Sequence, residues 1–296
     1  MISKAVIPAA GFGTRFLPAT KSQPKEMLPV IDKPVIQYVV EEAVASGITD
    51  VLIITGRGKQ AIENHFDRAV ELEIELEAAG KDRQLHELRK LATMADVHYI
   101  RQGELRGLGA AVHLARRHVG DEPFVVLLGD TIVDPENGVP ATRLLVDAYN
   151  ALKKAVVGLE VIDRGRSSHY GMAEPAAPAD ENGNIPLKSA VEKPYPVRSP
   201  SELALVGRYV FEPSIFPLLE NELNAGPGAV DLTAAINSLI QNAGVYGKIV
   251  HGRRYDIGER MDYVEAVLRL GLQRDDLAPE IRQLILALAA ELDSSA

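Results

Sequence analysis

Cysteine is absent from this chain of 296 residues. No disulfide bond and no thiolate metal site can therefore form, which fits a reducing compartment. Long apolar runs are missing as well, since no segment reaches the roughly 18 apolar residues of a membrane-spanning helix. The first apolar run, residues 5–7, is too short for a signal segment and ends at Pro8. The sequence therefore predicts a cytoplasmic protein without a membrane partner.

An excess of positive charge is also lacking, because the formal net charge is −9. Surfaces that bind nucleic acid need clustered Lys and Arg to neutralise phosphates, so nucleic acid is not an expected partner. Residues 11–33 nevertheless concentrate four cations beside two carboxylates, in the order Arg15, Lys21, Lys25, Glu26, Asp32 and Lys33. A small phosphorylated ligand explains this local excess better than a polymer does, although an ordinary solvated patch would have the same composition.

Residues 9–29, AAGFGTRFLPATKSQPKEMLP, follow the first apolar run and combine two glycines and three prolines with Arg15 and Lys25. Glycine lets backbone N–H groups approach an anion closely, and proline restricts the conformations of a loop. The composition therefore predicts a stiff phosphate-binding loop rather than a simple strand-to-loop turn. The spacing does not match a P-loop, and Phe16 stands where a dinucleotide fingerprint needs its third glycine.

The same stretch meets every fixed position of the pattern A-A-G-x-G-T-R-x-x-P-x-T-x-x-x-P-K-x-x-x-P. This pattern is the signature of the sugar-1-phosphate nucleotidyltransferases, which the chain resembles. Residues 25–34, KEMLPVIDKP, resemble more narrowly the bacterial UTP:glucose-1-phosphate uridylyltransferases, and the likeness extends to about residue 270. The resemblance implies an enzyme that transfers uridylyl from UTP to α-D-glucose 1-phosphate and releases UDP-glucose and pyrophosphate.

Apolar strands alternate with amphipathic helices along most of the chain. This alternation predicts an α/β fold, and the resemblance implies a three-layer sandwich around a Rossmann-like, mixed and mainly parallel sheet. We expect a nucleotidyltransferase domain over residues 1–259. Residues 260–296 read as a helical C-terminal tail whose apolar stripes are suited to an oligomer interface.

Residues 59–94 are highly charged and read as two helices with a break at Gly80. By pattern alone, this insertion is a solvated helical hairpin. The related uridylyltransferases resemble it closely, whereas many shorter thymidylyltransferases lack it. The resemblance therefore favours UTP over dTTP as the substrate.

The resemblance implies a set of nucleotide-binding residues, which are Ala9, Ala10, Gly11, Gly13, Thr14, Glu26, Gln102 and Gly107. Gln102 follows a predicted strand and begins a glycine-rich turn. Its amide offers both the donor and the acceptor that uracil needs at O4 and N3. Without the resemblance, this glutamine would be interpreted as a surface amide.

Asp130 follows the most apolar strand, at the end of the strand where open α/β sheets bind ligands. Mg²⁺ takes one or two carboxylates together with phosphate oxygens. Matching aspartates of the family imply a Mg²⁺ cofactor on Asp130 and Asp256. For Asp256, however, capping of the following helix remains an open alternative.

The adjacent residues Glu192 and Lys193 lie at a predicted strand end. A carboxylate accepts hydrogen bonds from vicinal sugar hydroxyls, and an ammonium suits a phosphate. An isolated pair of this kind would be a surface ion pair worth about 0–1 kcal/mol. The resemblance assigns the sugar to Gly171, Glu192, Lys193 and Gly207, and it assigns catalysis to Arg15, Lys25, Asp130 and Lys193.

Three alternatives remain open at this point: a dTTP-dependent glucose-1-phosphate thymidylyltransferase, a UDP-N-acetylglucosamine pyrophosphorylase, and a non-catalytic nucleotide-sugar sensor. The presence of all four catalytic candidates speaks against the sensor. Because most oligomers are closed and symmetric, a homodimer or homotetramer is expected.

Overall fold

The computed structural model describes residues 2–294 and places a nine-stranded sheet between two layers of helices. The strands are β1 Lys4–Pro8, β2 Pro29–Val30, β3 Lys33–Pro34, β4 Asp50–Thr55, β5 Asp96–Arg101, β6 Phe124–Leu127, β7 Thr131–Pro135, β8 Ala155–Val161, β9 Gly171–Pro175, β10 Asn184–Glu192, β11 Leu203–Phe211, β12 Val245–Ile249 and β13 Gly252–Asp256. The α-helices are α1 Val35–Ala45, α2 Gln60–Phe66, α3 Val70–Ala78, α4 Asp82–Thr93, α5 Gly107–His113, α6 Arg116–Val119, α7 Ala141–Leu152, α8 Ile215–Asn224, α9 Leu232–Ala243, α10 Arg260–Leu272 and α11 Ala278–Ser294.

The strand order in the large sheet is β5-β4-β1-β6-β11-β8-β12-β10-β9. Strands β10 and β11 run in one direction and the other seven run in the opposite one. Strand β9 also pairs with the start of β11, so β11, β8, β12, β10 and β9 form a closed ring of paired strands. The predicted mixed, mainly parallel sheet is therefore confirmed.

Alternate residues of the central strand β1 face opposite helix layers. Val6 packs with α5, α8 and α9 in one apolar core, whereas Ala5 and Ile7 pack with α1 and α7 in the other. All three side chains are fully buried, and burial of each valine or isoleucine contributes roughly 1.5–3 kcal/mol. Burial on both faces explains why the strand is a continuous apolar run, and it confirms the predicted three layers.

The sequence pattern does not predict β7, β9 or β13. Strands β9 and β10 pair on either side of residues 176–183, a largely exposed loop. Strand β7 pairs with β13, which is more than one hundred positions away in the chain. These strands mix polar and apolar residues, so hydrophobic periodicity does not identify them.

The insertion contains three helices, α2, α3 and α4, instead of the predicted two. The expected break at Gly80 is present, with a φ of 65°. A second break occurs at residues 67–69, because Asp67 takes an extended backbone conformation. Arg68 lies in this break, and its guanidinium donates two hydrogen bonds, of 2.7 and 3.0 Å, to the carboxylate of Glu73.

The stability of the insertion is expected to fall in acid because of Glu73. Hydrogen bonds from Arg68 and Arg89 lower the pKa of this carboxyl from 4.5 to about 2. The stabilisation is complete above the unfolded-state pKa and is lost as the pH falls toward the folded-state pKa. Urea unfolding should therefore show a larger stability difference between wild type and Glu73→Gln at pH 7 than at pH 3.5. An equal difference at both pH values would contradict this role.

The two C-terminal helices pack differently. Helix α10 buries Ala266 and Leu270 in an apolar cluster with residues of β2 and β13. Helix α11 leaves apolar side chains exposed, including Leu286 and Leu292. Within residues 2–294, no helix combines the length and the apolar character needed to cross a membrane.

Candidate active site

The predicted phosphate-binding loop leaves the carboxyl end of β1 and contains three short 3-10 helices, Thr14–Phe16, Ala19–Lys21 and Lys25–Met27. Gly13 has a φ of 67°, which side-chain-bearing residues rarely adopt. A Cβ at Gly13 would also lie 3.1 Å from the side chain of Thr20. The Thr20 hydroxyl donates a 2.7 Å hydrogen bond to the Gly13 carbonyl. These contacts fix the loop and explain the glycine.

The loop residues assigned to the nucleotide are not equally accessible. Ala9 is buried, and its N–H donates to the Ile54 carbonyl at 2.9 Å. Ala10 and Gly11 line a cavity of about 380 Å³ that opens beside the loop. Thr14 is exposed. Of Ala9, Ala10, Gly11, Gly13 and Thr14, therefore, Ala10 and Gly11 are the ones that line the cavity.

Lys25 and Asp130 form an ion pair at the floor of this cavity. Burial alone would raise the pKa of Asp130, but the charge and hydrogen bond of Lys25 lower it below its ordinary value. Burial alone would lower the pKa of Lys25, but the carboxylates of Asp130 and Glu26 raise it above its ordinary value. Both groups are therefore charged at neutral pH, and each is available to exchange its partner for a ligand.

The pairing of β7 with β13 brings Asp256 next to Asp130. Asp256 is opposite Thr131 in the register, and the Ile257 N–H donates to the Asp130 carbonyl at 2.9 Å. Burial, followed by the negative charge of Asp130, raises the pKa of Asp256. Two partly buried carboxylates that repel each other in this way suit a hard divalent cation.

Asp256 does not cap the following helix. Its carboxylate accepts a 2.8 Å hydrogen bond from the Gly258 N–H, whereas the residue before α10 is Glu259. The hydrogen bond fixes the carboxylate in a turn and leaves its second oxygen for another partner. The capping alternative of the sequence analysis is therefore not realised.

The cavity beside the loop has a mainly apolar wall with a few polar groups. Gln102 is buried on its edge, and its amide nitrogen donates to the Gly107 carbonyl at 3.4 Å. Gly107 has a φ of 89°, and a Cβ there would lie 2.7 Å from the Val230 carbonyl oxygen. Only glycine fits this position, and the turn presents backbone groups to the cavity. The space and the polar groups suit a planar base.

Glu26 lines the same cavity, but its carboxylate accepts a 2.6 Å hydrogen bond from the buried ammonium of Lys59. Burial raises its pKa, although the nearby charges of Lys59 and Lys25 oppose the increase. The sequence analysis did not single out Lys59. The signal was present, because residues 56–59 read Gly-Arg-Gly-Lys directly after the end of β4.

A second, larger cavity of about 750 Å³ continues outward from the first. Four cationic side chains line it, those of Lys21, Arg57, Lys59 and Arg101. Of these, only Lys21 was noted from the sequence. The two cavities share Gly11 and Gln102. A positively charged approach to the phosphate-binding loop follows from this arrangement.

The residues assigned to the sugar meet where β9 and β10 pair. Glu192 is opposite Gly171 in the register, and its carboxylate accepts a 2.7 Å hydrogen bond from the Thr233 hydroxyl. Lys193 follows with a φ of 45°, and its half-exposed ammonium lies 3.1 Å from the Glu192 carboxylate. Glu192 is thus held by the fold, whereas Lys193 is free to exchange its partner.

Gly207 connects the sugar side of the site to the cavity. It has a φ of 76° and interrupts the pairing of β11 with β8. A Cβ there would lie 2.8 Å from the side chain of Leu128, which lines the cavity. Gly207 therefore lies beside the cavity that the nucleotide-binding residues surround.

Arg15 lies on the Asp256 side of the loop. Its guanidinium is half exposed and forms an ion pair with Glu259. The Arg260 side chain donates to the Arg15 carbonyl at 3.1 Å, which anchors the loop to the start of α10. A cavity of about 470 Å³ next to Arg15 also contains Arg166 and His169.

One buried arginine supports both sides of the site and was missed by the sequence analysis. Arg208 donates to the Thr131 carbonyl at 2.8 Å and to the Gly207 carbonyl at 3.2 Å. Its remaining donors bind the buried carboxylate of Glu42, at 2.7–3.0 Å. Arg208 therefore fixes the backbone next to Asp130 and the backbone of Gly207.

The geometry defines a nucleotide-binding site with two carboxylates and several cations, and comparison with known proteins agrees. Residues 4–271 match the family model described as nucleotidyl transferase. The chain belongs to the nucleotidyl transferase family. This confirms the family that the first loop indicated.

Three similar proteins within this family carry the name of one activity. The chain is 46% identical over 288 residues to the UTP–glucose-1-phosphate uridylyltransferase of Bacillus subtilis (strain 168), which covers 96% of this chain and 97% of the relative. The structure of a UTP-bound UGPase from Acinetobacter baumannii is similar, with a TM-score of 0.90 and 40% identity, covering 97% of this chain and 99% of that one. A UDP-glucose pyrophosphorylase complexed with UDP-glucose matches with a TM-score of 0.84 and 33% identity, covering 93% and 100%. The narrower resemblance to uridylyltransferases is therefore confirmed.

Proposed function

We propose that this protein transfers the uridylyl group of UTP to α-D-glucose 1-phosphate, with UDP-glucose and pyrophosphate as products. The observation that carries the proposal is the meeting of Lys25, Asp130 and Asp256 beside the phosphate-binding loop. The names of the similar proteins support the same substrates.

In the proposed reaction, an oxygen of the sugar phosphate attacks the α-phosphorus of UTP. A new bond between phosphorus and oxygen forms as the bond between the α-phosphorus and the bridging oxygen of pyrophosphate breaks. The attacking phosphate monoester is largely ionised near pH 7, because its second pKa is about 6. No general base is required, and catalysis consists of positioning and charge neutralisation.

The partly buried pair of Asp130 and Asp256 fits Mg²⁺, which prefers carboxylate and phosphate oxygens. We propose that these two carboxylates hold it and that, when bound, it neutralises charge on the triphosphate. With Asp130 engaged by the ion, the Lys25 ammonium would be available to contact the α-phosphate. Arg15 exchanges Glu259 for the β and γ phosphates, which its planar donors suit.

The other residues bind and orient the two substrates. Gln102 and the backbone at Gly107 contact the uracil edge, with Glu26 held behind them by Lys59. Backbone groups of Ala10 and Gly11 lie against the nucleotide, and the rest of the assigned loop, Ala9, Gly13 and Thr14, shapes it. Glu192 accepts hydrogen bonds from the hexose hydroxyls between Gly171 and Gly207, and Lys193 draws the attacking phosphate in.

A grid of UTP and dTTP against glucose 1-phosphate and N-acetylglucosamine 1-phosphate tests the proposal. Pyrophosphate release with Mg²⁺ should be fastest for UTP with glucose 1-phosphate, at least about tenfold above each other pair, a difference of roughly 1.4 kcal/mol in barrier. One methyl group in an apolar pocket discriminates by a similar amount. Equal rates with dTTP would contradict uracil selection, and binding of UTP without turnover would favour a sensor.

We also propose a nucleotidyltransferase domain over residues 1–259 and a C-terminal tail over residues 260–296, of which residues 1, 295 and 296 lie outside the described part of the chain. The tail is helical over residues 260–272 and 278–294, and we propose that α11 forms the interface of a homodimer or homotetramer. Its exposed leucines support this proposal, because large exposed apolar patches usually mark interfaces. A mass from light scattering would contradict the proposal if it were that of one chain. The cytoplasmic location expected from the sequence remains part of the proposal.

A further inference from the structure

Three potential metal ligands meet at the end of the sheet that lies away from the phosphate-binding loop. Asp50 begins β4, His98 lies in the edge strand β5, and His118 belongs to α6. The loop lies beyond the other end of β4, where the Ala9 N–H donates a 2.9 Å hydrogen bond to the Ile54 carbonyl. Five residues of strand, or about 16 Å, separate the two ends.

The ring nitrogens of both histidines lie near the same oxygen of the Asp50 carboxylate. The His118 Nε2 lies 2.7 Å and the His98 Nε2 lies 3.9 Å from the Asp50 Oδ1. The two imidazole ring centres are 4.9 Å apart, and all three ligand atoms lie within 4.8 Å of one another. Ligands at 2.0–2.1 Å from a tetrahedral Zn²⁺ are separated by about 3.3 Å, so the observed distances bracket the required one.

A hydrogen bond between His118 and Asp50 accounts for only part of this arrangement. At 3.9 Å from the same carboxylate oxygen, the His98 ring nitrogen is too far away for a hydrogen bond, yet it lies close enough to share a metal ion with it. A metal ion between the three groups satisfies both rings and the carboxylate together. The His98 side chain is 55% exposed, so it can move the short distance required.

The surroundings leave the cluster available to a cation. The Lys4 ammonium contacts the His118 carbonyl at 3.0 Å, but it is paired with the carboxylate of Glu122 at 2.9 Å. Asp96 is opposite Asp50 in the strand register and adds a second negative charge at this corner of the sheet. Lys4 is therefore paired, and Asp50 and Asp96 place two carboxylates at this corner of the sheet.

We infer that Asp50, His98 and His118 bind a divalent transition-metal ion, for which Zn²⁺ is the natural probe. Two imidazoles and one carboxylate favour Zn²⁺, Ni²⁺ or Cu²⁺ over Mg²⁺, which prefers oxygen ligands alone. The ion joins β4, the edge strand β5 and α6, and water completes its coordination. This site is independent of the proposed function and of the Mg²⁺ that the function requires.

Competition between the nucleotide-free protein and a chromophoric chelator for Zn²⁺ tests the inference. Wild type should bind one Zn²⁺ that a large excess of Mg²⁺ does not displace, and His98→Ala should weaken this binding roughly a hundredfold, since even outer-shell changes cost 10–100-fold. His86→Ala, which changes an exposed histidine of α4, is the matched control and should bind as wild type does. Asp130→Asn, which alters the carboxylates near the loop, should also leave this Zn²⁺ in place.

Visible absorption of the Co²⁺-substituted protein gives a second readout. A four-coordinate spectrum that His98→Ala and His118→Gln both abolish would support the site. Because the His98 side chain is half exposed, its replacement should not disturb folding, which circular dichroism checks. Equal Zn²⁺ affinity of wild type and His98→Ala, or no Zn²⁺ binding by wild type, would overturn the inference.

Discussion

Asp130→Asn is expected to lower kcat for UDP-glucose formation at least a hundredfold, which corresponds to about 2.7 kcal/mol of lost transition-state stabilisation. Asparagine keeps the shape of the side chain and can still contact Lys25. It removes the negative charge with which Asp130 would hold the proposed Mg²⁺ and which raises the pKa of Lys25. The loss should appear in kcat and should not be recovered by saturating UTP.

The control is Asp134→Asn, which changes a carboxylate in β7, the strand that follows Asp130. Asp134 accepts a hydrogen bond from Gln273 at 2.6 Å and lies outside the cavity beside the loop. Its replacement should leave kcat within a factor of about two, which is below 0.5 kcal/mol. Lys25→Ala should match the loss of Asp130→Asn. Full turnover in either Lys25→Ala or Asp130→Asn would refute the roles assigned to this pair.

Arg208→Met is expected to lower the free energy of unfolding by about 3–5 kcal/mol, because the change leaves the buried carboxylate of Glu42 without its cation. The side chains of Arg208 and Glu42 are only 1% and 8% exposed. After the change, Thr142 alone would still donate to Glu42 through its N–H and its hydroxyl. Domains are stable by only about 5–15 kcal/mol, so the loss is large. Urea unfolding of purified protein measures it.

Two further variants separate the buried charge from other effects. Arg143→Met removes an exposed arginine that pairs with Asp147 on α7, and it should cost less than about 1 kcal/mol. The double variant Glu42→Gln with Arg208→Met removes both charges and should recover part of the lost stability. If Arg208→Met were no more destabilising than Arg143→Met, the buried pair would not support the site as described.

Local chemistry explains why the sequence predicted the first loop well. In residues 9–29, the glycines, prolines and lysines lie close to one another in the chain, so their pattern is visible in the sequence. The structure shows the reason at Gly13, whose conformation and contact with Thr20 both lie within the loop. The same holds for β1, whose continuous burial is visible as an apolar run.

Long-range pairing explains what the sequence could not predict. Asp256 reaches Asp130 only because β13 pairs with β7, and both strands carry too few apolar residues to be recognised. Arg208 is buried in a strand that reads as apolar, and its partners Glu42 and Thr131 are far apart in the sequence. Such residues have no local signal, because their role exists only after the chain has folded.

The ring of paired strands has a consequence for association between chains. Because β9 pairs with both β10 and β11, the nine-stranded sheet has one free border, which is β5. A foreign strand could add to the sheet only there. Asp96 and Arg101 stand exposed at the two ends of that border. Charged side chains on an edge strand discourage intermolecular β-pairing. Aggregation through this sheet is therefore restricted to β5, which is short and carries charged residues at both ends.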